Sequence, residues 1–383
     1  MNNVGYPFMR VGLYLHVPFC RTRCHFCAFT LQIHRADRVG RYLGSLSREI
    51  QLHAEHHSLA GRRLDTVYFG GGTPTTLEAS QLTGVLQNVR DSFGLNEGAE
   101  ISIEAHPDTV TEDGLGRLAE AGFTRISFGA QSMDDEELLQ IGRRTSGSRT
   151  QGAVRMARAA GFTNINLDLI YGVPGQSVDG WLATIEDVLA LDPAHVSCYA
   201  LTVEEKTRLH LDVRRGDVME PDASLQNDME NAGAGRLAAA GFARYEISNY
   251  ARPGFACRHN LLYWEGQDYL GLGPSAQSYL DGRRFGNTES VQDYDLTLER
   301  GRLPVAESEL LTADQRERER VVFGLRLIQG VEQGLLRHEP PDGTWRQALD
   351  QLTRRGLLEE RAGRIRLTDE GRRYADSVAV ELL

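Results

Sequence analysis

No stretch of this 383-residue chain approaches the roughly 18 to 20 uninterrupted apolar residues that a membrane-spanning helix needs. The opening segment, MNNVGYPFMR, has no basic patch followed by an apolar run, so it does not read as a secretory leader and a cytoplasmic location is expected. Repeats of fixed period are missing, which sets aside solenoids and propellers. Positive charge is in deficit: 42 Lys and Arg stand against 53 Asp and Glu, a net charge of −11. An acidic chain has no general electrostatic reason to hold a phosphate backbone, so no nucleic-acid partner is expected. Cysteine is scarce and odd in number, five in all. Without a secretion signal that argues against a disulfide framework and leaves metal ligation or buried packing.

What is present is the composition of a globular protein, 41% hydrophobic and 25% charged. The length fits one large domain with a smaller one attached. From about residue 10 to 280, short β-branched or aromatic runs alternate with Gly- or Pro-bearing loops and polar-apolar helical stretches. Strands are expected at Val11–Val17, Thr66–Phe69, Glu100–Glu104, Arg125–Gly129, Asn164–Leu169, His195–Leu201 and Ala243–Ser248. Helices are expected at Arg38–His53, Glu78–Asp91, Thr111–Ala121, Asp134–Ile141, Thr150–Ala160 and Val178–Ala190. This βα alternation predicts an α/β fold, a parallel sheet or barrel with its chemistry at the strand C-terminal ends. Glu104, Gln131 and Asp168 follow alternating apolar residues, so three strand ends aim polar groups into one lumen, either to meet a ligand or to satisfy one another.

After Tyr279 the pattern changes. Gly282 to Pro304 reads as a charged loop, and amphipathic stretches follow at Ala313–Ile328 and Trp345–Arg355. Leu357–Glu360 and Arg364–Leu367 flank a turn before a last helix from Asp369, the outline of a small winged-helix module. The expected division is therefore a barrel domain over 1–280, a linker over 281–304 and a C-terminal module over 305–383, read as a structural or partner-binding appendage.

Two motifs carry chemistry. Cys20-Arg21-Thr22-Arg23-Cys24-His25-Phe26-Cys27 follows the first strand directly and offers three thiolates to one compact metal site. A 4Fe-4S cluster held by three cysteines keeps one iron open for a small-molecule ligand. A zinc site completed by His16 or His25, and a group of packed thiols, remain alternatives. Cys198 and Cys257 lie too far away in sequence to be counted. Gly70-Gly71-Gly72-Thr73-Pro74-Thr75 follows the second strand and lets a ligand approach bare backbone. It is neither a phosphate loop nor a dinucleotide fingerprint.

CxxxCxxC after the first strand and GGGTPT after the second resemble the radical S-adenosylmethionine (SAM) superfamily, whose fold is a partial parallel (β/α) barrel. Tyr14 to Cys20, Ser102 to Glu104, Phe128 to Ser132, Leu167 to Gln176 and Tyr245 to Tyr250 resemble its oxygen-independent coproporphyrinogen III oxidase-like branch, which also ends in a small helical module. The resemblance implies that Cys20, Cys24 and Cys27 hold a 4Fe-4S cluster and that the open iron takes the amino and carboxylate groups of SAM. It implies that Gly71, Gly72 and Thr73 hold the methionyl amine, that Arg143 faces the carboxylate and Asp168 the ribose, and that Glu104 and Gln131 line the rest. Tyr14 and the backbone near Ala200 are outer members. A guanidinium fork suits a carboxylate, and ribose hydroxyls suit a carboxylate acceptor. Thr145 stands where the branch leads one to expect a histidine.

Within the branch, the oxidase is expected to carry a further cysteine where this chain has Phe29, and a longer arm before the cluster loop. Both departures resemble the heme-chaperone (HemW) family. So does His259-Asn260-Leu261-Leu262-Tyr263-Trp264, similar to that family's HNxxYW heme-binding motif. Imidazole is a common axial ligand of heme iron, and Tyr263 and Trp264 can cover an apolar macrocycle, with Cys257 as the other candidate ligand. The resemblance implies three cofactors, the cluster, SAM and heme, and as partners heme-accepting proteins, among them respiratory proteins at membranes. A monomer or homodimer is expected. The alternative is an enzyme that cleaves SAM reductively to act on a porphyrinogen, or a radical SAM methyltransferase; no catalytic residue is assigned.

Overall fold

The computed structural model describes residues 10–337 and 344–383. Six parallel strands, Val11–Val17, Leu64–Gly71, Leu95–Ala105, Arg125–Gln131, Asn164–Tyr171 and His195–Ala200, lie side by side in chain order. Each is apolar on its helix-covered side, with Leu13, Leu15, Val67, Phe69, Ile101, Ile103, Ile126 and Phe128 at most 4% exposed. Consecutive strands are bridged by amphipathic helices, Ala36–Glu55 and Ala79–Phe93 being the longest of the first three. The architecture is the parallel α/β arrangement that the alternation predicts, in the partial-barrel form that the resemblance implies.

The sheet is larger than the sequence pattern indicates, with twelve strands. Asp268–Leu272 pairs in parallel with Val11–Val17 on its free side, Leu13 opposite Leu270. This strand was not expected, since Gly266, Gly271, Gly273 and Pro274 make its surroundings read as turns. The Ala243–Ser248 run, expected as one more strand of the βα series, is instead an antiparallel hairpin of Ala243–Arg244 and Asn249–Ala251 against His195–Ala200. Gly282–Pro304, expected as loop, holds the strand Arg283–Asn287 and the helix Val291–Glu299. Arg283–Asn287 carries two arginines and a glycine, a poor strand signature, yet pairs with Gln277–Leu280 and with Val305–Leu310. The charged, fully exposed Val305–Leu310 strand closes that edge.

Beyond it, helices Ala313–Gly324, Thr344–Arg354 and Ala375–Leu382 pack around a three-stranded antiparallel sheet of Val331–Glu332, Arg364–Leu367 and Leu358–Arg361. Val321, Trp345, Leu352 and Leu358 are among the buried residues of this small core, separate from the barrel's. Among the described residues, no helix is long and apolar enough to cross a membrane.

Candidate functional site

A cavity of about 720 Å³ opens at the C-terminal ends of the parallel strands. The loop carrying Cys20, Cys24 and Cys27 forms one wall. It is clasped at its base by a two-residue parallel ladder, Phe19–Cys20 against Gln32–Ile33. Its middle is pinned by two backbone bonds, His25 N–H to the Ile141 carbonyl (3.0 Å) and Leu209 N–H to the His25 carbonyl (2.8 Å). All three thiols are free. Burial pushes the Cys20 and Cys27 thiols up, and their neighbouring cysteines add to it. Three thiolates facing one space repel until a metal centre neutralises them, as iron-bound thiolates require.

The glycine turn is zipped to this loop. Gly72 N–H donates to the Val17 carbonyl (2.8 Å) and Thr73 N–H to the Phe19 carbonyl (2.7 Å), while Thr73 Oγ1 lies 3.4 Å from Cys20 Sγ. A Cβ on Gly72 would sit 2.7 Å from the Phe19 carbonyl oxygen, so only glycine permits the approach. Gly71 N–H in turn donates to Glu104 Oε2 (3.2 Å). With three successive amides spent inside the protein, the turn has none of them left for an anion.

Glu104, Gln131, Arg143, Asp168 and Ala200 also line the cavity, as does Phe29, which is two-thirds exposed (67%). Glu104 accepts from Tyr68 Oη (2.9 Å), and burial, with Asp168 adding repulsion, raises its pKa to about 7. Asp168 accepts from Ser127 Oγ (2.9 Å) and Asn166 Nδ2 (2.8 Å), so the strand-end polar groups satisfy one another and face the cavity at once. Gln131 has φ +69° at a register shift between Gly129 and Gln131, a conformation costly for a non-glycine residue and frequent at binding sites. Arg143 donates to the Gly129 carbonyl and reaches Cys24 Sγ (3.9 Å), while its Nε and the nearby Thr145 Oγ1 are buried without partners. Tyr14 does not line the cavity; its Oη sits 3.2 Å from His16 Nδ1 in the layer below. His16 Nε2 is 3.3 Å from the Thr30 carbonyl, so both its ring nitrogens are engaged away from the thiols.

The Radical SAM superfamily profile matches residues 14–188, and the HemN C-terminal domain profile matches 311–374. The heme chaperone HemW of Mycobacterium tuberculosis is 39% identical over 384 residues, covering 99% of this chain and 95% of that protein. The HemW of Bacillus subtilis is 33% identical, covering 95% and 97%. The solved coproporphyrinogen III oxidase (HemN) of Escherichia coli superposes with a TM-score of 0.85 at 26% identity, over 98% of this chain and 91% of that one.

The chain belongs to the HemN/HemW branch of the radical SAM superfamily.

Its residues fit the cofactors of a radical SAM protein. Free thiols converge on the cavity, Gly71, Gly72 and Thr73 line it, and Arg143 brings to it a guanidinium whose Nε is buried without a partner. Sequence reasoning missed other lining groups, notably Tyr68, His106, Arg144 and Tyr199. Tyr68 was within reach: Thr66, Tyr68 and Gly70 alternate with the buried Val67 and Phe69, so they share the lumen face. His106, its pKa lowered by burial to about 4, enters from a turn after its strand and had no such signal.

The HNLLYW stretch of this radical SAM protein lies elsewhere. It forms the helix Arg258–Trp264 at the N-terminal halves of the first two strands, roughly 17 Å below the glycine turn at about 3.3 Å per strand residue. His259 is 1% exposed; its Nδ1 lies 2.7 Å from Thr66 Oγ1 and its Nε2 2.8 Å from Tyr263 Oη. Burial lowers its pKa to about 3, so the ring is neutral. Glu100 accepts from the amides of Arg258 and His259 (3.1 Å each) and faces the Cys257 thiol (3.6 Å), itself fully buried and pushed up to about 12. Trp264 turns towards the C-terminal module, under the Arg326 guanidinium at 4.7 Å.

Proposed function

We propose that the cavity binds a 4Fe-4S cluster through Cys20, Cys24 and Cys27 together with SAM, and that the chain is a heme chaperone that passes heme to acceptor proteins. The heme reading is carried by the full-length likeness to two proteins named heme chaperones, at 39% and 33% identity. Phe29 in place of a further cysteine supports it. When bound, cluster and SAM supply one-electron chemistry; the chain's own part is to hold the amine at the glycine turn and Glu104, the carboxylate at Arg143 and the ribose at Asp168. His259 and Cys257 are the candidate heme ligands, with Tyr263 bonded to His259 and Trp264 at the end of the same helix. Either side chain must leave its interior partners to reach iron, so heme uptake requires the Arg258–Trp264 helix to shift.

A second reading, radical SAM chemistry on a porphyrinogen, is favoured by the superposition on coproporphyrinogen III oxidase and by the cavity of about 720 Å³ that the proposed SAM residues line. Two measurements on anaerobically reconstituted protein separate the readings. The chaperone expects hemin to give a Soret shift that is lost in His259→Ala or Cys257→Ala, and no vinyl-bearing product from coproporphyrinogen III. Such a product, formed with SAM and a reductant, would establish the second reading instead.

A further inference from the structure

The buried histidine and the cavity are joined by one side chain. Tyr68 lies on the lumen face between Thr66, which holds the His259 ring, and the glycine turn, and itself lines the cavity. Its ring stacks on His259 (centroids 5.1 Å apart, planes at 23°) and on Tyr14 (6.2 Å, 24°). Burial pushes its phenol far above the ordinary range, so the hydroxyl stays protonated and donates to Glu104 Oε1 at 2.9 Å. Glu104 Oε2 takes the Gly71 amide, the first amide of the glycine turn. There is no slack in this stack. A Cβ on Gly70 would meet Tyr14 at 2.9 Å, Tyr68 at 3.0 Å and Glu104 at 3.2 Å, and one on Gly12 would meet Leu262 at 2.6 Å and His259 at 3.2 Å.

We propose that Tyr68 is a positioning residue that couples the seat of His259 to the carboxylate of Glu104, so that SAM binding and the inward position of His259 favour each other. The inference rests on the reading above that Glu104 contacts SAM. With His259 in place, Tyr68 has a flat face to rest on and its hydroxyl fixes one carboxylate oxygen while Gly71 fixes the other. When His259 leaves, the phenol loses that face and Glu104 loses half of its orientation. By linkage, SAM held at Glu104 then resists the departure of His259 by the same factor. A ring stack and a hydrogen bond to a carboxylate are each large enough to be read in a binding constant.

The test is SAM binding by equilibrium dialysis on the reconstituted full chain, with cluster content and thermal midpoint measured alongside. Tyr68→Phe and His259→Leu are each expected to weaken SAM about tenfold. The double variant is expected to be no weaker than the poorer single, because both act through one link. His259→Phe, which keeps a flat ring beneath Tyr68, is expected to bind within about twofold of the parent chain. Should His259→Leu not fold, His259→Gln serves as the non-aromatic replacement. Wild-type affinity in the non-aromatic variant, or losses that multiply in the double, overturns the coupling. Glu104→Gln separates the two levels: undiminished SAM binding there overturns the Glu104 reading itself, whereas a loss there without one in Tyr68→Phe overturns the coupling alone.

Discussion

Glu104 is where burial and chemistry meet most directly. With a pKa of about 7 against an ordinary 4.5, its ionisation costs the folded chain stability as pH rises from about 4.5 through 7, since the fold holds the proton more tightly than the open chain does. The ionised form is the one that attracts an ammonium. SAM affinity is therefore expected to rise between about pH 6 and 8 and to level off above, and Glu104→Gln is expected to flatten that profile; titration at several pH values checks it. The cluster thiols give a plainer expectation. Replacing Cys20, Cys24 and Cys27 together with serine should leave less than a tenth of the iron and sulfide of the parent chain after anaerobic reconstitution, read by metal analysis. Motif spacing gathered the three thiols and strand alternation aimed Glu104, Gln131 and Asp168 into one lumen, while Gly71–Thr73, Arg143 and Ala200 came from the family resemblance; all of them line one cavity. Sequence reasoning gave no place in the fold for His259, whose partner Thr66 lies 193 residues away. No local pattern tells a histidine that ligates from one that is satisfied in the interior.

The short helix Arg258–Trp264 is the element on which the heme reading depends, and Gly12 is what lets it dock. An alanine there would place its Cβ 2.6 Å from Leu262 Cδ1 and 2.8 Å from Thr66 Oγ1. Gly12→Ala is expected to cost about 1 to 3 kcal/mol by overpacking, seen as a lower urea midpoint with an unchanged slope. Elements with clear periodicity were legible almost to the residue, Val11–Val17 and Val178–Ala190 among them. Those that were not share a physical reason. Asp268–Leu272 and Arg283–Asn287 owe their extended shape to neighbours already in the sheet, and a strand imposed by pairing needs little propensity of its own.

At the scale of the whole molecule, several contacts fasten the C-terminal module to the barrel. Arg326 covers Trp264, an isolated bridge joins Glu246 to Leu327, and Arg284 pairs with Glu319. Trp264→Ala is expected to raise hydrogen exchange across Ala313–Gly324 by about three- to thirtyfold, the worth of a cation–π contact, while the Cys20–Cys27 loop exchanges as before. The partner of the first strand has a different consequence. Val11–Val17 leads straight into the cysteine loop, yet one of its flanks is covered only by Asp268–Leu272. On the ribosome that flank stays bare while some two hundred and fifty further residues emerge, on the order of tens of seconds at ordinary synthesis rates. For the cluster proposed above, iron delivery to the nascent loop would precede closure of the sheet beside it or wait for nearly the whole polypeptide, and until then the bare edge is a surface for a folding helper to guard.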